Sequence, residues 1–153
     1  AVGARLARNT AQQQQGIWLH ALLEHLSAGA QDQAELQQRL AIPAVEMAVL
    51  WSIAQRLLTA PQLTRFFDAQ GYRAAYNELP YVDAQGELKR IDRLVEFDDE
   101  VWVLDYKLGD ALEAARYRAQ LLAYRQAMQA VYPGKPVRCA LLFADGTLHE
   151  VQP

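Results

Sequence analysis

Between residues 72 and 107, three runs rich in Tyr, Val, Ile, Leu and Trp follow one another with only short polar breaks. The runs are 72–82, 88–97 and 101–107, and the breaks are Asp83–Gly86 and Asp98–Asp99. Aromatic and β-branched residues bounded by turn formers read as strands, and breaks this short leave room only for hairpins. Three such strands make an antiparallel meander, and the rest of the chain is read around it. Upstream, Ile17, Leu19, Leu22, Leu23 and Leu26 recur at helical spacing over Thr10–Ser27. Thr10 is a plausible N-cap and Gly29 sits where that helix would stop. Residues 1–9 show no pattern and read as a loose lead-in. Two further helices are expected over roughly 31–40 and 44–59, separated by Pro43 and closed by Pro61, before a short apolar turn with Phe66 and Phe67. Downstream come a helix over about 113–131, ended by Pro133-Gly134, an apolar strand over 137–144, a turn at Asp145-Gly146 and a last strand over 147–151.

At 153 residues the chain is the size of one domain, read as a lead-in 1–9, a helical part 10–68 and a core 71–151. Hydrophobic residues at 52% and charged residues at 22% exclude a disordered chain. No apolar run is long enough to span a membrane, and no basic and apolar leader is recognisable. The lone Cys139 can form neither an internal disulfide nor a thiolate cluster, so a cytoplasmic location is expected. The start at Ala1, without methionine, is what a fragment of a larger protein would look like. The net charge of −3 is unlike that of an autonomous DNA-binding domain, whose basic face draws affinity from counterion release. Either the chain does not bind DNA, or another part of an assembly holds the DNA for it.

The meander carries the candidate chemistry. If Asp98 and Asp99 centre a tight turn, residues paired across the hairpin have numbers that sum to 197, and Asp92 lies opposite Asp105. Lys107 then shares their face, because side chains two apart on a strand point the same way. Leu94, Val101 and Val103 continue that face as an apolar floor. Two carboxylates about 5 Å apart repel one another unless a cation lies between them. Magnesium and manganese favour such oxygen ligands, and a nearby lysine can orient an attacking water or stabilise charge developing on a phosphate. The bland reading of the same residues is a solvated hairpin face with a salt bridge. Glu96, Asp98, Asp99 and Glu100 read as an acidic, solvated hairpin tip.

Five short motifs then fall in order: Gly16-x-x-x-His20-x-x-x-Glu24, Glu78-Leu79-Pro80, Arg90-Ile91-Asp92-Arg93-Leu94, Val103-Leu104-Asp105-Tyr106-Lys107 and Tyr117-x-x-Gln120-Leu121-x-x-Tyr124. Together they resemble the PD-(D/E)XK nuclease superfamily, specifically its RecB-type nuclease domain. The resemblance implies an α/β fold with a restriction-endonuclease-like core: a mixed sheet with a three-strand meander flanked by helices, preceded by an N-terminal helical segment. It implies Asp92 and Asp105 as acidic metal ligands, Lys107 as the catalytic lysine, and Glu78 as a supporting carboxylate. It further implies His20 and the backbone carbonyl of Tyr106 as metal ligands, with Gln120 and Tyr124 lining the site or touching DNA. Glu24 could pair with His20 to orient its ring, Tyr117 reads as a packing residue, and His25 and His149 have no motif support. Where the family commonly has a small polar residue after the lysine, this chain has Leu108.

The activity implied is that of an Mg2+- or Mn2+-dependent deoxyribonuclease of exonuclease type, with DNA as partner. Relatives of this type form the nuclease modules of UvrD/Rep-like helicase–nucleases in double-strand-break repair and recombination. A motor that delivers single-stranded DNA would explain the acidic net charge. The chain has no Gly-x-x-x-x-Gly-Lys-Ser/Thr motif, so no nucleotide is expected in it, and a single cysteine leaves no set of ligands for an iron–sulfur cluster. The alternative from another class is a catalytically inactive nuclease-fold module for DNA binding or partner docking. A phosphoesterase acting on RNA or a small molecule is a third.

Overall fold

The structure is a computed structural model; it describes the backbone of residues 2–109 and 111–153, and side chains from Thr10 onward within those ranges. Four helices come first: α1 (Val2–Ser27), α2 (Gln33–Leu40), α3 (Ala44–Thr59) and, after a 3-10 turn Pro61–Leu63, the short α4 (Thr64–Phe67). Then follow β1 (Ala74–Val82), β2 (Leu88–Glu96) and β3 (Val101–Lys107). A 3-10 segment Ala111–Tyr117 leads into α5 (Arg118–Val131), and β4 (Val137–Phe143) and β5 (Leu148–Val151) complete the chain.

α1 ends where Gly29 was expected to stop it. Gly29 has φ 107°, and Ala30 N donates to His25 O while Gly29 N donates to Leu26 O, the crossed bonds of a Schellman cap. Its start differs from expectation. The helix runs back to Val2, so the supposed lead-in is helical and Thr10 lies inside rather than at the cap. Ala, Arg and Gln before Thr10 and after it are good helix formers whatever their periodicity, and no proline interrupts them. The start of the expected 113–131 helix is likewise 3-10, with regular α-helix only from Arg118. α2 opens on Asp32, whose carboxylate accepts Glu35 N at 3.1 Å.

The five strands lie in the order β1-β2-β3-β4-β5. All neighbours are antiparallel except β3 and β4, which run parallel across the α5 connection, so the sheet is mixed. The β2–β3 register is the expected one: Arg93 faces Leu104, Leu94 faces Val103 and Glu96 faces Val101. Both faces of the sheet are covered. Val95, Trp102, Leu104, Tyr106, Ala140 and Leu142 pack under α1 to α4, while Leu94, Val101, Val103, Cys139, Leu141 and Phe143 pack under α5. Burial on both sides explains why β3 reads as a continuous apolar run rather than an alternating one. Asp105 is the exception in that run, and it is only 3% exposed.

The hairpin tip departs from the solvated turn expected. Glu100 accepts hydrogen bonds from Trp102 Nε1 (2.8 Å), Arg65 (2.8 Å) and Arg138 (3.1 Å), and Glu96 pairs with Lys135 at 2.6 Å. Glu100 therefore ties the hairpin to α4 and β4, and Glu96 ties it to the turn before β4.

Candidate active site

β2 pairs with β1 from Leu88 to Glu96, except at Asp92, but is paired with β3 only from Arg93 to Glu96. The sheet forks at the Arg93 end of that pairing, and the fork collects the residues singled out in the sequence. Asp92 and Asp105 would be the next ladder pair. Instead the Asp92 carboxylate bridges the gap, accepting Tyr106 N at 2.8 Å.

β1 reaches the fork with a change of face. Ala75 packs with the α1–α4 layer, whereas Leu79 and Tyr81 pack with the α5 layer, although 75, 79 and 81 should share one face. Glu78, between them, has φ 51°. Its neighbours keep one register on both sides (Asn77 with Arg93, Leu79 with Ile91), so no residue is inserted. The strand turns over at one left-handed residue, which costs a non-glycine about 1–2 kcal/mol. That turn brings the Glu78 carboxylate to Asp92.

From the other side, α1 places His20 against the same spot. Its Nδ1 stands 3.4 Å from Asp92 Oδ1 and its Nε2 donates to the Tyr106 carbonyl at 3.0 Å, with the ring edge-on to Tyr106. Ligand atoms of His20, Glu78 and Asp92 all lie within 4.8 Å of one another. Both nitrogens of His20 face oxygen, an arrangement that favours the doubly protonated ring. Burial disfavours that charge, but the hydrogen bond and negative charge of Asp92 outweigh it and push the imidazole up to about 9. Glu24 is not its partner.

Asp105 stands beside this trio rather than in it. Lys107 Nζ lies 2.9 Å from Asp105 Oδ2 and 4.2 Å from the centre of the Tyr117 ring. The ammonium approaches off the axis of a hydrogen bond, and buried Oδ2 accepts none. Burial, and then the neighbouring negative charge of Asp92, push Asp105 up to about 7. Burial also opposes ionisation of Asp92, yet the hydrogen bond and charge of His20 prevail and hold it below the usual range. Glu78 is raised, by burial first and then by Asp92. Three carboxyl groups are thus crowded at a place where a proton or a cation must relieve them.

The donor set fits a hard divalent ion: carboxylate oxygens, a backbone carbonyl and one imidazole. The two groups that now face Asp92 and the Tyr106 carbonyl with positive charge are the two nitrogens of His20. Oδ2 of Asp105 already has the Lys107 ammonium against it, so the donors open to an ion are those of His20, Glu78 and Asp92. On α5, Gln120 Nε2 donates to Tyr124 Oη at 2.7 Å, and burial followed by the charges of Asp105 and Asp92 raises that phenol. Gln120 and Tyr124 therefore sit within electrostatic reach of the carboxylates.

The structure brings His20, Glu78 and Asp92 together, sets the Asp105–Lys107 pair beside them and the Gln120–Tyr124 pair at longer range, and does not join Glu24 to His20. Two contributions went unseen. Tyr117 was read as packing, and it does pack against the α5 layer, but its ring also carries the Lys107 ammonium. Arg93, read only as part of a motif, is buried at 1% exposure; an arginine beside Asp92 in a strand that is otherwise apolar from Ile91 to Val95 was the available signal. Among the described residues no helix is long and apolar enough to cross a membrane.

No curated protein sequence is significantly similar to this one. Residues 2–152 match the family profile of the PD-(D/E)XK nuclease superfamily. The match runs through all five motifs and the whole sheet, so the chain belongs to the PD-(D/E)XK nuclease superfamily.

Proposed function

We propose that this protein is a metal-dependent DNA nuclease domain of the RecB type that hydrolyses phosphodiesters as the cutting module of a helicase–nuclease in double-strand-break repair and recombination. Membership of the superfamily supports a metal-dependent nuclease with DNA as substrate. The observation that carries the reading to residues is the meeting of His20, Glu78 and Asp92 within 4.8 Å, from three separate elements, with Asp105 and Lys107 alongside. A histidine from an upstream helix joined to the strand carboxylates, and the Gln120–Tyr124 pair on α5, favour the RecB-type subgroup. The acidic net charge of −3 favours delivery of single-stranded DNA by a motor domain over capture by this chain alone. The core at 71–151 and the helical part before it then act as one domain of a longer machine.

In this reading His20, Asp92, Asp105 and the Tyr106 carbonyl hold Mg2+ or Mn2+, with Glu78 supporting them. The ion, when bound, supplies Lewis acidity toward a phosphate oxygen and lowers the pKa of water. Asp105 and the Tyr117 ring hold the Lys107 ammonium at the edge of the site. From there it can orient the water and neutralise charge developing on the phosphate. Gln120 and Tyr124 present an amide and a phenol for the sugar–phosphate backbone. Desolvation by the two helix layers strengthens each of these interactions relative to water.

Cleavage of single-stranded DNA by the purified protein in the presence of Mn2+ tests the proposal. Asp105→Ala and Lys107→Ala should each lower the rate by at least about 100-fold, the scale of removing one electrostatic stabiliser. Wild-type rates in both variants would refute the site, and a wild type that binds DNA without cutting it would favour the docking-module alternative.

A further inference from the structure

Arg93 is a guanidinium buried to 1% exposure that has no carboxylate partner among the described residues. Burying a charge costs several kcal/mol unless its protons are satisfied, so what satisfies them indicates what the residue does. Nε donates to Phe66 O at the end of α4 (3.0 Å), Nη1 donates to Asn77 Oδ1 (2.8 Å), and Nη2 reaches Tyr72 Oη (3.5 Å). The rings of Phe67 and Tyr72 flank it, 5.0 and 5.7 Å from the guanidinium carbon. Because the Asn77 carbonyl is held by Arg93, its amide nitrogen must face the other way, and there it donates to Ser27 Oγ at 2.9 Å and toward Glu24 O at 3.4 Å. Both acceptors belong to the last turn of α1. The chain of contacts therefore runs from α4 through β2 and β1 to the helix that carries His20.

Its place along the strands adds a second observation. Arg93 and Asn77 are a cross-strand pair, and they are the last pair before the fork. Each is the immediate chain neighbour of a site carboxylate: Arg93 of Asp92, Asn77 of Glu78. Glu78 is the residue with φ 51°, and a left-handed residue in a strand persists only where its surroundings over-determine it. The Asn77–Arg93 bond fixes the peptide on one side of that turn.

We propose that Arg93 and Asn77 are positioning residues: a buried clamp that locks α1 and the left-handed turn at Glu78 so that His20 and Glu78 converge on Asp92. The clamp touches neither substrate nor metal. This inference rests on the metal-site reading above, and it has a consequence that does not need the metal. With only three histidines in the chain, the His20 ring is readily assigned by NMR, and its edge contact with the Tyr106 ring, 5.7 Å between centroids, reports the placement of α1.

Asn77→Ala removes the link to α1 while leaving Arg93 and all candidate ligands in place, and Arg93→Lys keeps the charge but loses the fork of donors. In Asn77→Ala the His20–Tyr106 nuclear Overhauser contact is expected to weaken or vanish in a protein that is still folded. Mn2+ binding, measured by calorimetry, is expected to weaken about 10- to 100-fold, the usual cost of losing groups that orient ligands. In a His20→Ala background the same substitution should change Mn2+ affinity by much less, because the ligand it positions is gone. Arg93→Lys should fall between Asn77→Ala and wild type. An intact His20–Tyr106 contact together with unchanged Mn2+ affinity would overturn the proposal, as would a full and additive loss in the His20→Ala background. If wild type itself bound no Mn2+, the metal-site reading would fail, and the ring contact alone would decide the clamp.

Discussion

Glu78 shows how a single residue is held for something other than stability. Its left-handed backbone costs about 1–2 kcal/mol, and its carboxylate is raised by burial and by Asp92 before any favourable contact is counted. The positive charge of His20 offsets part of that, and Arg90, at 3.7 Å and largely exposed, offsets less. Glycine adopts the same backbone without the steric cost, although its unfolded chain has more entropy to lose. Glu78→Gly is therefore expected to stabilise the protein by about 1 kcal/mol, read as a higher urea midpoint, while lowering Mn2+ affinity and cleavage. A less stable glycine variant would mean that the Glu78 side chain makes a net contribution to folding. None of this could be read in the sequence. Glutamate in a strand-like run with Leu79 and Pro80 gives no local sign of a left-handed residue, because the constraint comes from Asn77, Arg93 and the β2 partner. Asp92, Asp105 and Lys107 were legible for the opposite reason: one hairpin register, set by a local turn, decides their meeting.

At the scale of elements, the two ends of β3 are built on different principles. The end at Lys107 opens into the fork, while the end at Val101 is tied down through Glu100. Burial opposes ionisation of Glu100, but hydrogen bonds from Trp102, Arg65 and Arg138 prevail and hold its carboxyl near 2, below its ordinary 4.5. Arg65 lies 4.3 Å over the Phe97 ring and Arg138 4.3 Å over Trp102, so the same two arginines also cover the apolar tip. A depressed folded pKa means that the stabilisation is complete above about pH 4.5 and is lost as the pH falls toward 2. Glu100→Gln should thus be less stable than wild type at pH 7, and the gap between their urea midpoints should close as pH drops through that window. A gap of constant size from pH 7 to 2.5 would show that packing, and not charge, makes the difference. Sequence reading took this tip for solvated surface because its partners lie 35 and 38 residues away, in α4 and β4. It likewise missed the helical start of α1, where propensity rather than periodicity decides. Elements defined by apolar spacing, such as α3 at Ala44–Thr59 and β3 at Val101–Lys107, matched expectation at both ends.

For the molecule as a whole, the candidate ligands come from α1, β1, β2 and β3, so they meet only when the helical layer has docked on the sheet. An ion bound there would bind the folded state and not the unfolded one, and its binding energy would become folding stability. At a free concentration about 100-fold above Kd the gain is about 2.7 kcal/mol. For a chain of 153 residues that corresponds to a rise in melting temperature of roughly 5–10 °C. The same ion would relieve the repulsion among Glu78, Asp92 and Asp105. Melting curves in EDTA, Mg2+ and Mn2+ are therefore expected to separate, with Mn2+ or Mg2+ raising the midpoint and EDTA restoring it. The rise should vanish in Asp92→Asn, whose amide cannot supply the charge, and shrink in His20→Ala, which keeps the carboxylates. Zinc is a poor probe, since it binds exposed histidines in any protein. An identical rise in wild type and Asp92→Asn would place the ion elsewhere on the surface, and no rise at millimolar Mn2+ would leave the buried carboxylates to be neutralised by His20 and Lys107 alone. In that case the fork would be a closed ion network, and the docking-module alternative would describe the molecule better than the nuclease does.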